Sequence, residues 1–227
     1  MISLLEAELA FLAISVAAII LWFFHQSAPR KTLLALVVIT AFMTAQLLLG
    51  YSGVLRKWES TPPPFIAMMA VIFLSTCGLA FSSLGLSMAS SLPFAMLIGF
   101  QAFRLPLELL MHQAAEQGVM PSVMSFSGYN FDILTGLTSI PVAWMSYRNS
   151  APRWLLVAWN LMGCVLLANI VAIAVAATPR FAAFGPQQLN TWIADAPFVW
   201  LPGVLVQAAL LGHLLTWRKL RNYFPAK

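Results

Sequence analysis

A chain of 227 residues that is 61% hydrophobic and only 8% charged has too few charged groups to cover a water-facing surface. That balance excludes a soluble globular protein and predicts an all-α, polytopic membrane protein, with residues 1–227 forming a single transmembrane domain. The formal charge of +5 resides in basic residues at helix ends and calls for no nucleic-acid partner.

A bilayer core of roughly 30 Å takes about 20 apolar residues per helix. Seven segments meet that requirement, at 3–25, 33–55, 64–86, 92–114, 129–147, 153–177 and 198–218. They are continuous apolar runs, whereas a transmembrane barrel needs alternating strands of about ten residues. The first segment carries Glu6 and Glu8 in place of a basic n-region, is too long for a signal peptide and is followed by no small-residue cleavage site. It reads as a retained first helix. Arg30 and Lys31 follow it. With Arg148, Arg153, Arg218, Lys219, Arg221 and Lys227 they fall on one side if the helices alternate, against Arg56, Lys57 and Arg180 on the other. The positive-inside rule then predicts an inner-membrane protein with its N-terminus outside and its C-terminus cytoplasmic.

Helix 3 contains CGLAFSSLGLS, whose small residues Gly78, Ser82, Ser83 and Ser87 permit close backbone approach and predict a central helix. Cys77 and Cys164 fall in mid-helix, where a thiol is a small apolar side chain, and C-x-x-C spacing is absent. Helix 4 contains FQAFRLPLELLMHQ. At 100° per residue Gln101, Arg104, Glu108 and His112 share an arc of roughly 80°. An Arg facing lipid at mid-membrane costs about 2.5–3.5 kcal/mol on insertion scales, so this face must point into the bundle. Pro106 cannot donate to the carbonyl of Ala102, which leaves an acceptor free beside the arginine. The four side chains are predicted to form a polar ladder opening to the exterior.

Helix 5 begins GYNFDILTGLTSIP, placing Asn130 and Asp132 near the depth of Glu108 and His112. Arg104 is expected to bridge Glu108 and Asp132, because a guanidinium can serve two carboxylates and discharge the site. Thr135, Thr138 and Ser139 continue the lining inward, and Gln46, Asn160 and Asn169 offer neutral hydrogen-bonding groups. The two longest connections lie outside, and each is long enough for a short interfacial helix. TWIADAPFVW in the second carries tryptophans suited to headgroup level. Asp195 and Trp200 are secondary candidates at the outer mouth. His213, in LLGHLLTWRK, is placed near the cytoplasmic end and is expected to hydrogen-bond a neighbouring helix.

The runs FRLPLELLMHQ, SGYNFDILTGLT and PFVWLPGVLVQAALLGHLL together resemble a family of bacterial polytopic inner-membrane proteins with no assigned activity, over about residues 100–220. The resemblance implies that Arg104, Glu108, His112, Asn130 and Asp132 form one motif pair on helices 4 and 5, and it implies no reaction.

A register clamp needs two charges, whereas this face and its neighbour supply four titratable groups plus Gln101, which favours function over register. The leading expectation is a small-solute or proton-coupled transporter with a polar, outward-opening pocket. A receptor or accessory subunit with a membrane-protein partner, and an intramembrane enzyme acting on a lipid or quinone, are the alternatives. No cofactor is predicted. The alternatives are haem between His25 and His213, or a metal on Glu108, His112 and Asp132, although H-x-x-x-H spacing is absent. Membrane lipids are the expected surroundings.

Overall fold

The computed structural model describes residues 3–223. Lys227 of the basic set lies outside the described residues. Nine α-helices and no strand occur among the described residues: α1 (Leu4–Ser27), α2 (Thr32–Tyr51), α3 (Pro64–Phe81), α4 (Ser83–Ser91), α5 (Phe94–Phe100), α6 (Arg104–Glu116), α7 (Ile133–Tyr147), α8 (Arg153–Ala176) and α9 (Val206–Tyr223). Five stretches are long and apolar enough to cross a membrane: Leu4–Ser27, Pro29–Tyr51, Pro64–Phe81, Phe94–Glu116 and Arg153–Ala176.

α1 opens on a capping box, in which Ser3 Oγ accepts from the Glu6 N–H and the Glu6 carboxylate accepts from the Ser3 N–H. Two orphan donors of the first turn are thereby satisfied. The predicted helix 3 is two helices. Ser82 has an extended backbone and its Oγ accepts from the Gly85 N–H, so the SSLGLS run starts the short α4 instead of extending α3. Nor is α3 central, since its outer face leaves Val71, Phe73, Leu74 and Phe81 exposed.

The predicted helix 4 is interrupted by a 3₁₀ turn at Gln101–Phe103 between α5 and α6. Pro106 explains the interruption, because the missing N–H would have bonded the Ala102 carbonyl in a regular helix. Helix 5 begins later than predicted, at Ile133, and Gly128–Asp132 forms the turn before it. The last span opens as a π-helical turn at Leu201–Leu205 and runs on to Tyr223, five residues past the predicted end. Neither long connection contains an α-helix. Trp192 and Trp200 are buried in the core instead of lying at the surface, and Trp200 Nε1 donates to the carbonyl of Met43.

α9 is the central helix, packed against α3, α4, α5 and α8, while α5 is closely packed along α7. α2 rests chiefly on α1 and exposes Leu33, Leu34, Val37 and Val38. The last turns of α1, α3, α4 and α9 gather at one end. Arg218 donates to the carbonyls of Ala80 and Ser82, Lys219 to those of Ala89 and Ser90, and Ser87 Oγ to that of Ser27. These donors satisfy helix C-terminal carbonyls and complement the negative ends of the dipoles. Leu220 joins the same end to Phe94, Ala151 and Leu156 in a second apolar cluster.

Candidate functional site

The charged centre is assembled where α6, α7, α8 and α9 converge. Gly136 of α7 lies so close to α6 that a Cβ there would stand 2.5 Å from the backbone nitrogen of Leu105. This contact brings Asp132, at the start of α7, against Arg104, the first residue of α6. Arg104 forks the carboxylate, donating from Nε to Asp132 Oδ2 at 2.6 Å and from Nη2 to Oδ1. Its remaining terminal nitrogen, Nη1, faces Nε2 of His213 at 2.9 Å. A guanidinium has no acceptor, so His213 Nε2 must accept, which leaves Nδ1 as the protonated ring nitrogen. That N–H donates to Asn160 Oδ1 at 2.9 Å, and Asn160 Nδ2 donates back to the His213 carbonyl at 3.3 Å. The imidazole fits because residue 163 is glycine: a Cβ there would stand 2.2 Å from His213 Cε1.

Glu108 stands apart from this pair. Asn130 Nδ2 donates to its Oε2 at 2.6 Å and also to the Met124 carbonyl at 3.1 Å, while Asn130 Oδ1 accepts from the Asp132 N–H at 3.0 Å. The expected bridge from Arg104 to Glu108 is not formed, because one carboxylate and one imidazole take up the fork. Arg104 and Glu108 are each 1% exposed, Asp132 3%, and Asn130 and His213 fully enclosed. Gln101, Arg104 and Glu108 are therefore enclosed, and of the expected ladder His112 alone is partly exposed.

The other expected members are distributed differently. Gln101 is buried, and its Nε2 donates to the Ala209 carbonyl at 3.0 Å, tying α5 and α6 to α9. His112 lies toward the protein surface, with Nδ1 on Ser125 Oγ at 2.9 Å, Nε2 3.4 Å from Glu116, and its ring stacked on Phe126. It does not touch the Arg104 centre. Thr135 approaches Asp132, and Thr138 accepts from Trp159 Nε1. Asn169 donates to the exposed Tyr129 carbonyl, and Gln46 packs beside Gly203. Asp195 pairs with Arg56, linking two connections. Trp200 is a packing residue. Thus Gln46, Asn169, Asp195 and Trp200 do not converge on the site, whereas His213 and Asn160 do.

His213 was misplaced by depth. Among the described residues α9 reaches Tyr223, ten residues or about 15 Å beyond His213, as Arg104 lies ten residues from Phe94. Both ring nitrogens of His213 are occupied, and His25 bonds Thr32 at the end of α1, so the two do not form a haem pair as arranged. Glu108, His112 and Asp132 are each held by different partners, and no group of three His, Cys, Asp or Glu side chains suited to a metal occurs among the described residues.

Beside this centre lies an apolar cavity of about 1000 Å³. It opens between α3 and α8, which are not packed on one another, and is floored by α9. Met69 and Phe73 line one wall and Ala168 and Val171 the other. Its inner wall includes Met111, Met124 and Cys164. Met111 is one turn beyond Glu108, the Met124 carbonyl is the second acceptor of Asn130, and Cys164 adjoins the glycine under His213. The inner wall of the cavity thus consists in part of residues that adjoin or hydrogen-bond members of the centre.

No protein-family model, curated protein or solved structure matches this chain. The resemblance over residues 100–220 gains nothing from them, and the site stands on its own geometry.

Proposed function

We propose that the protein is a seven-pass inner-membrane protein, N-terminus outside and C-terminus cytoplasmic, that binds a lipid-soluble small molecule in the cleft between α3 and α8. The observation that carries this reading is the 1000 Å³ apolar cavity sharing a wall with the closed polar centre. Ligand sites are typically about 300–1000 Å³ and mostly apolar, with few polar groups nearby. A water-soluble solute needs a wet route, whereas Arg104, Glu108, Asn130, Asp132 and His213 do not line this cavity, and its wall is apolar apart from Thr178, Gln207 and the Cys164 thiol. A lipophile can enter sideways from the bilayer. Protein purified in mild detergent should release one defined lipophile on organic extraction, identified by mass spectrometry, against a background of bulk membrane lipid. An extract with only bulk lipid composition would contradict this reading.

Seven passes are supported by the common end of α1, α3 and α9, which makes these three helices parallel; α2 between α1 and α3, and the passes of α5 with α6, α7 and α8 between α3 and α9, complete the number. A cysteine at position 187, in place of exposed Gln187, should react with an impermeant maleimide in intact cells once Cys77 and Cys164 are removed. A cysteine replacing Ser150 should react only after permeabilisation. The reverse pattern would overturn the orientation.

Proton-coupled transport is the second reading, and one observation favours it. Asp132 neutralises Arg104, His213 accepts from that same guanidinium, and Glu108 is left as an enclosed carboxyl without an ion pair. A carboxyl so placed is suited to taking up and releasing a proton, since an isolated buried charge is costly.

A further inference from the structure

The end of the bundle where α1, α3, α4 and α9 terminate carries Arg30, Lys31, Arg148, Arg153, Arg218, Lys219 and Arg221. None of the Asp and Glu residues falls there: they occupy positions 6, 8, 59, 108, 116, 132 and 195. Arg218 and Lys219 are committed to helix carbonyls. Lys31 is exposed and forms no ion pair among the described residues. It is also the N-cap residue of α2, with no side-chain capping bond, so the positive end of that helix dipole adds to its field.

Beneath Lys31 runs a second cavity, of about 360 Å³, between α2 and α9, which shares only Gln207 with the lining of the α3–α8 cleft. Apart from Lys31 its lining is almost entirely apolar, with Leu34, Val38 and Phe42 on α2, Phe24 on α1 and Leu211 on α9. From Lys31 to Met43, which also lines it, the helix rises about 18 Å, close to the depth of one leaflet of a roughly 30 Å hydrocarbon core. A cation over an apolar groove of one-leaflet length complements a molecule with an anionic head and a hydrocarbon tail.

We infer that this groove is a binding site for an anionic phospholipid, its phosphate paired with Lys31 and one acyl chain lying between α2 and α9. A zwitterionic lipid carries its own cation beside the phosphate and gains less from Lys31. A free phosphate leaves the groove unfilled. The groove and Lys31 are present whatever occupies the α3–α8 cleft, with which the groove has only Gln207 in common.

Native mass spectrometry of the detergent-purified protein, titrated with phosphatidylglycerol or phosphatidylcholine, tests the assignment. Phosphatidylglycerol should bind more tightly. Lys31→Gln should weaken it about fivefold, the effect of one cation near a membrane surface. Ala35→Trp, which fills the groove and keeps the charge, should weaken both lipids. Arg221→Gln, a cation of the same end that does not line the groove, should leave binding unchanged. Equal weakening by Arg221→Gln and Lys31→Gln would mean diffuse attraction and overturn the site, as would wild-type binding by both groove variants. Displacement of the lipid by millimolar inorganic phosphate would assign Lys31 to a free anion and also overturn it.

Discussion

Asp132→Ala should destabilise the protein by about 3–5 kcal/mol, because it leaves the Arg104 guanidinium enclosed with only an imidazole for a partner. The loss belongs to the stranded cation more than to the missing bonds. Adding Arg104→Met to Asp132→Ala should therefore recover much of it, since an apolar side chain of similar length has no charge to solvate. Equilibrium unfolding in detergent, run as a double-mutant cycle, gives the coupling directly. Additive losses would mean that the two residues do not share a site. Glu108→Ala should couple weakly to Arg104→Met, as the two form no ion pair.

Glu108→Gln should leave the fold intact and remove one titration. The amide oxygen can still accept from Asn130 Nδ2, so the change in stability should stay within about 1 kcal/mol. The groups around this carboxyl are Arg104, Asp132 and Asn130, with His213 beyond the arginine and His112 one turn outward. Of these, only Glu108 loses its proton-carrying capacity in the variant. Difference infrared spectra recorded through a pH titration should show a buried carboxyl signal in the wild type that the variant lacks. Identical spectra would remove Glu108 from any proton path and leave the centre as a clamp on helix register.

The class of protein was legible from composition, because nothing but lipid can cover so many apolar side chains. Helix ends were less so. SSLGLS satisfies small-residue packing and helix capping equally well, and only the tertiary turn at Ser82 decides for the cap. The face carrying Gln101, Arg104 and Glu108 was readable from its 100° periodicity, and burial of all three agrees. Their partners were not. Periodicity fixes direction around one helix but not depth between helices, and placing the end of the last helix at residue 218, when α9 reaches Tyr223 among the described residues, hid His213 from Arg104. Asn160 had no signal beyond its polarity in an apolar helix. The enclosure of Glu108 was hidden for a related reason. The turn at Gly128–Asp132 folds over the ladder, with Asn130 enclosed on Glu108, which a continuous helix from residue 129 would not allow.

The lateral cleft is tested most directly by filling it. Ala168 lines the α3–α8 cavity on its exposed side, so Ala168→Trp occupies that space without displacing core side chains. Titration of purified protein with a fluorescent polyene alcohol should saturate at about one molecule per wild-type chain. The variant, with an unchanged unfolding midpoint, should bind at least about tenfold more weakly, equivalent to about 1.4 kcal/mol. Equal saturable binding by both proteins, or partitioning that never saturates in either, would contradict a ligand site between α3 and α8.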